Sequence, residues 1–153
     1  EYSELLPGQG MVINGATITG SVIGIDLEET VGSITNVVIT DPSSTGLRAD
    51  GYNSLMIDGL SVTDSVGSGL TSGVLIMPLA TGLQEITNSN FDGVNTAIAL
   101  NNDVSTSVSS TTISNAATGI STGVQSSASY FFDGVTMTNV ETGVLARGTG
   151  EVT

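Results

Sequence analysis

The chain contains no cysteine, histidine, lysine or tryptophan among its 153 residues. Without cysteine it can form no disulfide framework, thiol nucleophile or thiolate metal site. Without histidine and lysine, most other catalytic combinations of side chains are also excluded. No run of eighteen apolar residues occurs, so no membrane insertion is expected. We therefore expect that the chain is not an enzyme.

Positive charge is scarce as well. Fifteen Asp and Glu oppose only Arg48 and Arg147, which gives a formal net charge of −13. This charge repels phosphate backbones, so binding to nucleic acid is not expected, whereas contact with cations is favoured. Disordered chains are poor in apolar residues, and here apolar residues make up 39% of the sequence, which indicates a folded domain.

The chain contains a repeated sequence motif, the phrase, which has three apolar positions, its anchors. Six copies occur, and the second anchors follow one another at intervals of 21–29 residues. The first anchors are Ile13, Ile34, Ile57, Ile86, Val108 and Phe132. The second anchors are Ile18, Ile39, Val62, Phe91, Ile113 and Met137. The third anchors are identified as Ile25, Leu47, Leu70, Ile98, Ile120 and Val144. Short Val-, Ile- and Thr-rich runs separated by Gly, Asn or Asp predict strands joined by tight bends.

The phrase resembles the repeat of right-handed, pectate-lyase-like parallel β-helices over residues 12–152. The predicted fold is therefore all-β, a right-handed parallel β-helix of about six coils of 21–29 residues. Residues 1–11 are predicted to form a lead-in strand or an incomplete cap, and residues 12–153 the β-helix, interrupted by an apolar insert at 74–80. Like residues should then stack at a spacing of about 4.8 Å.

The resemblance implies a groove over the strand of the third anchor, where enzymes of this kind place carboxylates and an arginine. The outward residues that follow the third anchors Ile25 and Leu47 are Asp26 and Arg48. Asp50 lies two residues after Arg48 on the same side. These three residues are weak candidates for catalysis. A surface ion pair between Asp26 and Arg48 is the preferred interpretation.

Carboxylates also fall at predicted bends. Asp41, Asp58 and Asp64 are weak candidates for a metal site, but no EF-hand or nonapeptide calcium repeat is present. We expect no cofactor and no defined metal site beyond weak, diffuse association of Ca²⁺.

Threonines flank the second anchors in most copies of the phrase. This array resembles those on ice-binding solenoids, although outward threonines also suit any strand. The members of the threonine ladder are Thr17, Thr19, Thr40, Thr63, Thr112, Thr136 and Thr138.

The apolar insert has two open interpretations. It is either a loop folded onto the side of the β-helix or an exposed apolar patch that binds a partner. The candidate interface residues are Val74, Leu75, Ile76, Met77, Pro78 and Leu79.

The sequence favours a non-enzymatic structural or adhesive module of a secreted or cell-surface protein, acting as an acidic rigid spacer. Its expected partners are other β-helix segments or copies of itself stacked end to end, with polysaccharide as a further possibility. Two alternatives remain open: a carbohydrate-active β-helix, whole or relic, and an ice-binding solenoid.

Overall fold

A computed structural model describes residues 10–28, 31–51, 54–67, 69, 71–77, 82–101, 105–123, 128–147 and 151–152. Regular structure in these residues consists of strands, and every strand pairing is parallel. The strands stack as a parallel β-solenoid, which confirms the predicted all-β, parallel β-helix architecture. Strands are favoured because β-branched residues dominate the short runs between bends.

One side of the solenoid, face A, is a seven-stranded sheet. Each successive coil contributes one strand, so that neighbours in the sheet are about twenty residues or more apart in sequence. Its strands are β1 (Met11–Asn14), β4 (Gly32–Thr35), β7 (Leu55–Asp58), β10 (Gln84–Thr87), β13 (Thr106–Ser109), β15 (Ser129–Asp133) and β17 (Glu151–Val152).

The other two sides, faces B and C, are joined through two long strands. Face B contains β2 (Thr17–Thr19), β5 (Val38–Thr40), β8 (Ser61–Thr63) and β11 (Asn90–Asp92). Face C contains β3 (Ile23–Glu28), β6 (Thr45–Asp50), β9 (Ser72–Ile76) and β12 (Thr96–Leu100). Strands β14 (Thr112–Thr122) and β16 (Thr136–Ala146) run through both faces. Faces B and C therefore each contain six strands, whereas face A contains seven.

The anchors of the phrase form inward columns. The first anchors are paired from Ile13 to Phe132, and the second from Ile18 to Met137, each with its counterpart in the next coil. The buried hydrophobic residues form one cluster along the axis. Burial of these columns supplies the main stabilisation, since each buried aliphatic side chain contributes about 1.5–3 kcal/mol.

The predicted bends lie at the corners between faces. Between faces A and B, the six corner residues all have positive φ, from +48° at Ser110 to +71° at Gly15 and Gly59. Asn36 and Asn88 occupy the same corner position in other coils, with φ of +52° and +50°. Gly is suited to this conformation because it has no Cβ atom to clash, and Asn tolerates it because its short polar side chain can hydrogen-bond locally.

The prediction of an apolar insert at 74–80 is wrong for its described part, residues 74–77, whereas residues 78–80 lie outside the described residues. Strand β9 pairs with β6 and β12 so that Val74 lies between Leu47 and Ile98, which makes Val74 the third anchor of its coil. Val74 and Ile76 are buried in the core. The previously identified anchor Leu70 lies outside the described residues, and the extra length falls between β8 and β9.

Gly73, the residue before the third anchor Val74, lies very close to the next coil. A Cβ atom on Gly73 would lie 2.5 Å from Phe91 Cδ1 and 2.4 Å from the carbonyl oxygen of Ala97. The residue before the anchor thus packs against the second anchor of the next coil. Ser-Gly-Leu at 68–70 and Ser-Gly-Val at 72–74 carry the same local pattern, but Gly69 has a positive φ of +69° and a Cβ atom on it would meet nothing within 4 Å.

Only the end of the predicted lead-in segment 1–11 lies in the described residues. Met11, the last residue of this segment, belongs to β1 and pairs with Gly32. The predicted lead-in segment otherwise lies mostly outside the described residues.

Candidate functional surfaces

The Asp26–Arg48 pair forms on face C as predicted, because β3 and β6 place the two residues directly opposite each other. Arg48 Nε donates to Asp26 Oδ1 and its Nη2 to Asp26 Oδ2, both at 2.7 Å. This hydrogen bonding, with the Coulombic attraction of Asp26, raises the pKa of Arg48 above its ordinary value. A guanidinium held in this way is poorly suited to accept a proton, so the geometry describes an ion pair better than a general base.

Two further carboxylates lie near this guanidinium. Glu28 Oε1 is 3.4 Å from Arg48 Nη2, and Asp50 lies opposite Glu28 in the register. Asp50 also contributes Coulombically to the raised pKa of Arg48. Glu28 was not among the sequence candidates, although its position two residues after Asp26 in a strand places it on the same outward side. The cluster on face C thus has three acids around one arginine.

The three candidate metal ligands are distributed over two corners. Asp58 ends β7 beside the corner between faces A and B, whereas Asp41 and Asp64 follow β5 and β8 beside the corner between faces B and C. Among the described residues, no group of three or more acids is arranged to hold a metal ion. Diffuse cation association stays a prediction.

Each of these carboxylates accepts hydrogen bonds from the protein. Asp41 Oδ1 accepts from the Ser65 backbone N–H at 2.8 Å and from its hydroxyl at 2.7 Å. Asp64, which is buried, accepts from the backbone of Val66 and Gly67 and from the Thr71 hydroxyl. These bonds connect one coil to the next or shape the turn after β8, which gives the acids a structural role.

The same arrangement recurs at Asp58. It also recurs at Asp92, a residue that was not among the candidates from the sequence. Asp58 Oδ1 accepts from Thr87 Oγ1 at 3.0 Å and from Asn88 Nδ2 at 2.7 Å in the following coil. Asp92 Oδ1 accepts from Ser114 Oγ and Asn115 Nδ2, both at 2.7 Å. The available signal was an Asp-Gly pair aligned with a hydroxyl residue followed by a corner residue in the next coil.

These bonds affect the acidity of Asp92. The hydrogen bonds from Ser114 and then Asn115 lower the pKa of its carboxyl below the ordinary value. They favour the ionised form because both donors stabilise the carboxylate. Asp92 therefore links its coil to the next as a charged acceptor.

The threonine ladder follows two outward columns on face B. Thr17 is in register with Val38, and Thr19 with Thr40 and then Thr63. Farther along, Asn90 and Asp92 occupy the two columns, and threonines return at 112, 136 and 138. Thr112 Oγ1 donates a hydrogen bond to Asn90 Oδ1 at 2.7 Å, so neighbouring coils are connected here too. The face is polar but chemically interrupted.

The predicted interface segment is divided by the strand alternation. The side chains of Val74 and Ile76 are in the core and are unavailable to a partner. Leu75 and Met77 are half-buried, and Leu75 lies opposite Arg48 in the register. Pro78 and Leu79 lie outside the described residues. A role in partner binding stays a prediction for Leu75 and Met77.

Comparison with protein-family models, curated proteins and solved structures finds no match to this chain. The fold is therefore assigned from the strand register alone. Within the described residues, no helix has the length and apolar character needed to cross a membrane.

Proposed function

We propose that this chain is a structural or adhesive β-solenoid module of a secreted or cell-surface protein, in which it acts as a rigid acidic spacer. The observation that carries the proposal is the unbroken stacking of six coils through inward apolar columns. A fully paired stack resists bending because each coil is joined to its neighbour along three faces. The outward positions converge on no single chemistry, as expected of a spacer.

The proposal includes end-to-end association with other β-helix segments or with copies of the chain. Support comes from the last described coil, where Val144 is 43% exposed and Met137 and Val140 are only half-buried. One coil earlier, the equivalent Ile113, Ala116 and Ile120 are almost fully buried. A strand laid on β16 would bury the uncovered side chains and satisfy its outer edge.

Sedimentation velocity over a range of concentrations tests this association. Self-association should increase with salt, because salt screens the repulsion between copies of charge −13 while leaving apolar contact intact. Val144→Lys should weaken association. Thr138→Lys adds the same charge to an outward, exposed position of the same strand and is the matched control. Equal effects of the two variants, or a monomer under all conditions, would contradict the end-stacking part of the proposal.

A carbohydrate-active β-helix related to the pectate-lyase-like superfamily is a second candidate. It is supported by the position of Arg48 among Asp26, Glu28 and Asp50 on the outward side of face C. The test is incubation with polygalacturonate or alginate and measurement of chain cleavage. Cleavage that disappears in Arg48→Ala would favour this candidate and overturn the spacer assignment.

Ice binding is a third candidate, favoured by the in-register threonine columns of face B. It is weakened by Val38, Asn90 and Asp92, which interrupt both columns. Thermal hysteresis that is lost in Thr63→Tyr would support ice binding. Absence of hysteresis in the unmodified chain would exclude it.

A further inference from the structure

Asp64 is the one acid among the described residues that is almost fully buried, with 4% of its surface exposed. It follows β8 at the corner between faces B and C, where the turn toward β9 begins. Burial favours the neutral form of a carboxyl group, because the charged form loses its hydration. The ionisation state of Asp64 therefore depends on what its two oxygens contact.

The first oxygen, Asp64 Oδ1, faces two main-chain donors. The N–H groups of Val66 and Gly67 donate to it at 3.2 Å and 3.0 Å, and these bonds shape the turn after β8. A carboxylate accepts such bonds, and so does the carbonyl oxygen of a neutral carboxyl group. This side of Asp64 is therefore compatible with both forms.

The second oxygen, Asp64 Oδ2, faces a hydroxyl group that also contacts another acceptor. Thr71 Oγ1 lies 2.8 Å from Asp64 Oδ2 and 3.2 Å from the carbonyl oxygen of Pro42 in the preceding coil. Thr71 is 0% exposed, and its hydroxyl has a single hydrogen. If Asp64 is ionised, two acceptors compete for that hydrogen in the interior. If Oδ2 is protonated, Asp64 donates to Thr71 and Thr71 donates to Pro42, so each contact has its own hydrogen.

The charges around this corner also favour the neutral form. The chain has no lysine or histidine, Arg48 is paired on face C, and Arg147 follows β16 three coils farther on. Asp41 lies at the same corner in the preceding coil, and the main chain of Asp92 in the following coil accepts from Asp64 N–H at 2.9 Å. Neighbouring acids disfavour a further negative charge.

We propose that Asp64 is a neutral carboxylic acid in the folded chain, and that its proton forms the first link of a hydrogen-bond chain from Asp64 through Thr71 to Pro42. The Thr71 carbonyl oxygen accepts from the N–H groups of Asn95 and Thr96 at 2.9 Å and 3.2 Å, which extends the connection to the following coil. Asp64 is thus a proton-binding site that ties three coils together. Loss of the proton buries a charge and removes one link, so this corner loosens as the pH rises.

Asp92 provides the contrast at the same corner. It is half-buried, and its hydrogen bonds from Ser114 and Asn115 lower the pKa of its carboxyl, so it is held in the ionised form. The two acids should therefore respond in opposite ways to conversion into an amide. Asparagine reproduces the acceptor and the donor of a neutral acid, whereas it removes the charge of a carboxylate.

The direct test is a pH titration of the intact, carbon-13-labelled chain by nuclear magnetic resonance, in which each side-chain carboxyl signal reports its own protonation. The Asp64 signal should change at a higher pH than the signals of Asp41 and Asp92, and Asp64→Asn should remove it. An Asp64 signal that changes together with that of Asp92, or at a lower pH, would overturn the proposal.

Stability to urea gives a second readout. A folded chain that keeps a proton released on unfolding loses stability as the pH rises. Histidine and cysteine are absent, so few other side chains titrate between about pH 6 and pH 9. In this range Asp64→Asn should be at least as resistant to urea as the unmodified chain, because Nδ2 can donate to Thr71. The matched control Asp92→Asn should be less resistant. Equal losses in the two variants would contradict a neutral Asp64.

Discussion

Phe91 gives the sharpest stability test of the inward columns. It lies in the second-anchor column between Val62 and Ile113, and its side chain is 0% exposed. Its ring packs so closely against face C that a Cβ atom on Gly73 would lie within 2.5 Å of it. Phe91→Ala would therefore leave a cavity where three coils meet.

The expected loss is large. Phenylalanine-to-alanine changes in a core reduce the free energy of unfolding by about 3–5 kcal/mol, which includes the lost transfer energy and the cavity. Domains are typically stable by about 5–15 kcal/mol, so this loss is a major fraction of the total. At about 2–4 °C per kcal/mol for a chain of this size, the melting temperature should fall by about 6–20 °C.

The matched control is Phe131→Ala, because Phe131 is 52% exposed on the outward side of face A. Surface substitutions of this kind usually change stability by about 0.5 kcal/mol or less. The assay is urea denaturation followed by circular dichroism, with comparison of midpoints and slopes, because a changed slope would indicate partial unfolding of the stack. Similar losses in the two variants would refute the assignment of inward and outward positions.

Three further predictions concern packing, pH and the surface ion pair. Gly73→Ala should destabilise the chain by about 1–3 kcal/mol in urea denaturation, because the new methyl group would collide with the carbonyl oxygen of Ala97. A more stable variant would show that the close approach is wrong. Because the folded pKa of Asp92 is lowered, its contribution to stability is present above the unfolded pKa and is lost as pH falls through the folded value. The melting temperature of the unmodified chain should therefore fall more steeply with acid than that of Asp92→Asn, and parallel curves would contradict this. Arg48→Gln should leave the urea midpoint unchanged within error, since its pair with Asp26 is solvent-exposed; a clear shift would show that the pair is structural.

Much of the fold could be predicted because the period of the phrase directly specifies which residues stack. The register of Ile13 with Ile34, or of Ile39 with Val62, follows from counting between anchors. The exception was the third coil, where two Gly-aliphatic pairs compete for the same position. The structure places Gly73 at this position, where an added Cβ atom would meet Phe91 of the next coil, whereas Gly69 has a positive φ and no such neighbour.

The surroundings of the acidic side chains on face C and at the corners were less predictable than the fold, because they depend on side chains from different coils. The Asp26–Arg48 pair could be predicted, since both residues occupy one column and have opposite charge. The hydrogen bonds to Asp58 and Asp92 were not predicted, because their donors lie one coil away and are uncharged. Polar residues at corners can bind metals or bond to the next coil, and only the three-dimensional arrangement distinguishes these roles.

The most direct test of a rigid six-coil stack is the distance between its first and last coils. The chain has no native cysteine, so Thr19→Cys and Thr138→Cys provide unique positions for spin labels in one outward column of face B. Five steps of about 4.8 Å predict a single narrow distance near 24 Å between the labelled positions. Moving the first label to Thr40 should shorten the distance by about 5 Å, one coil spacing. A broad distribution, or a distance that does not change with the coil number, would contradict the rigid solenoid spacer.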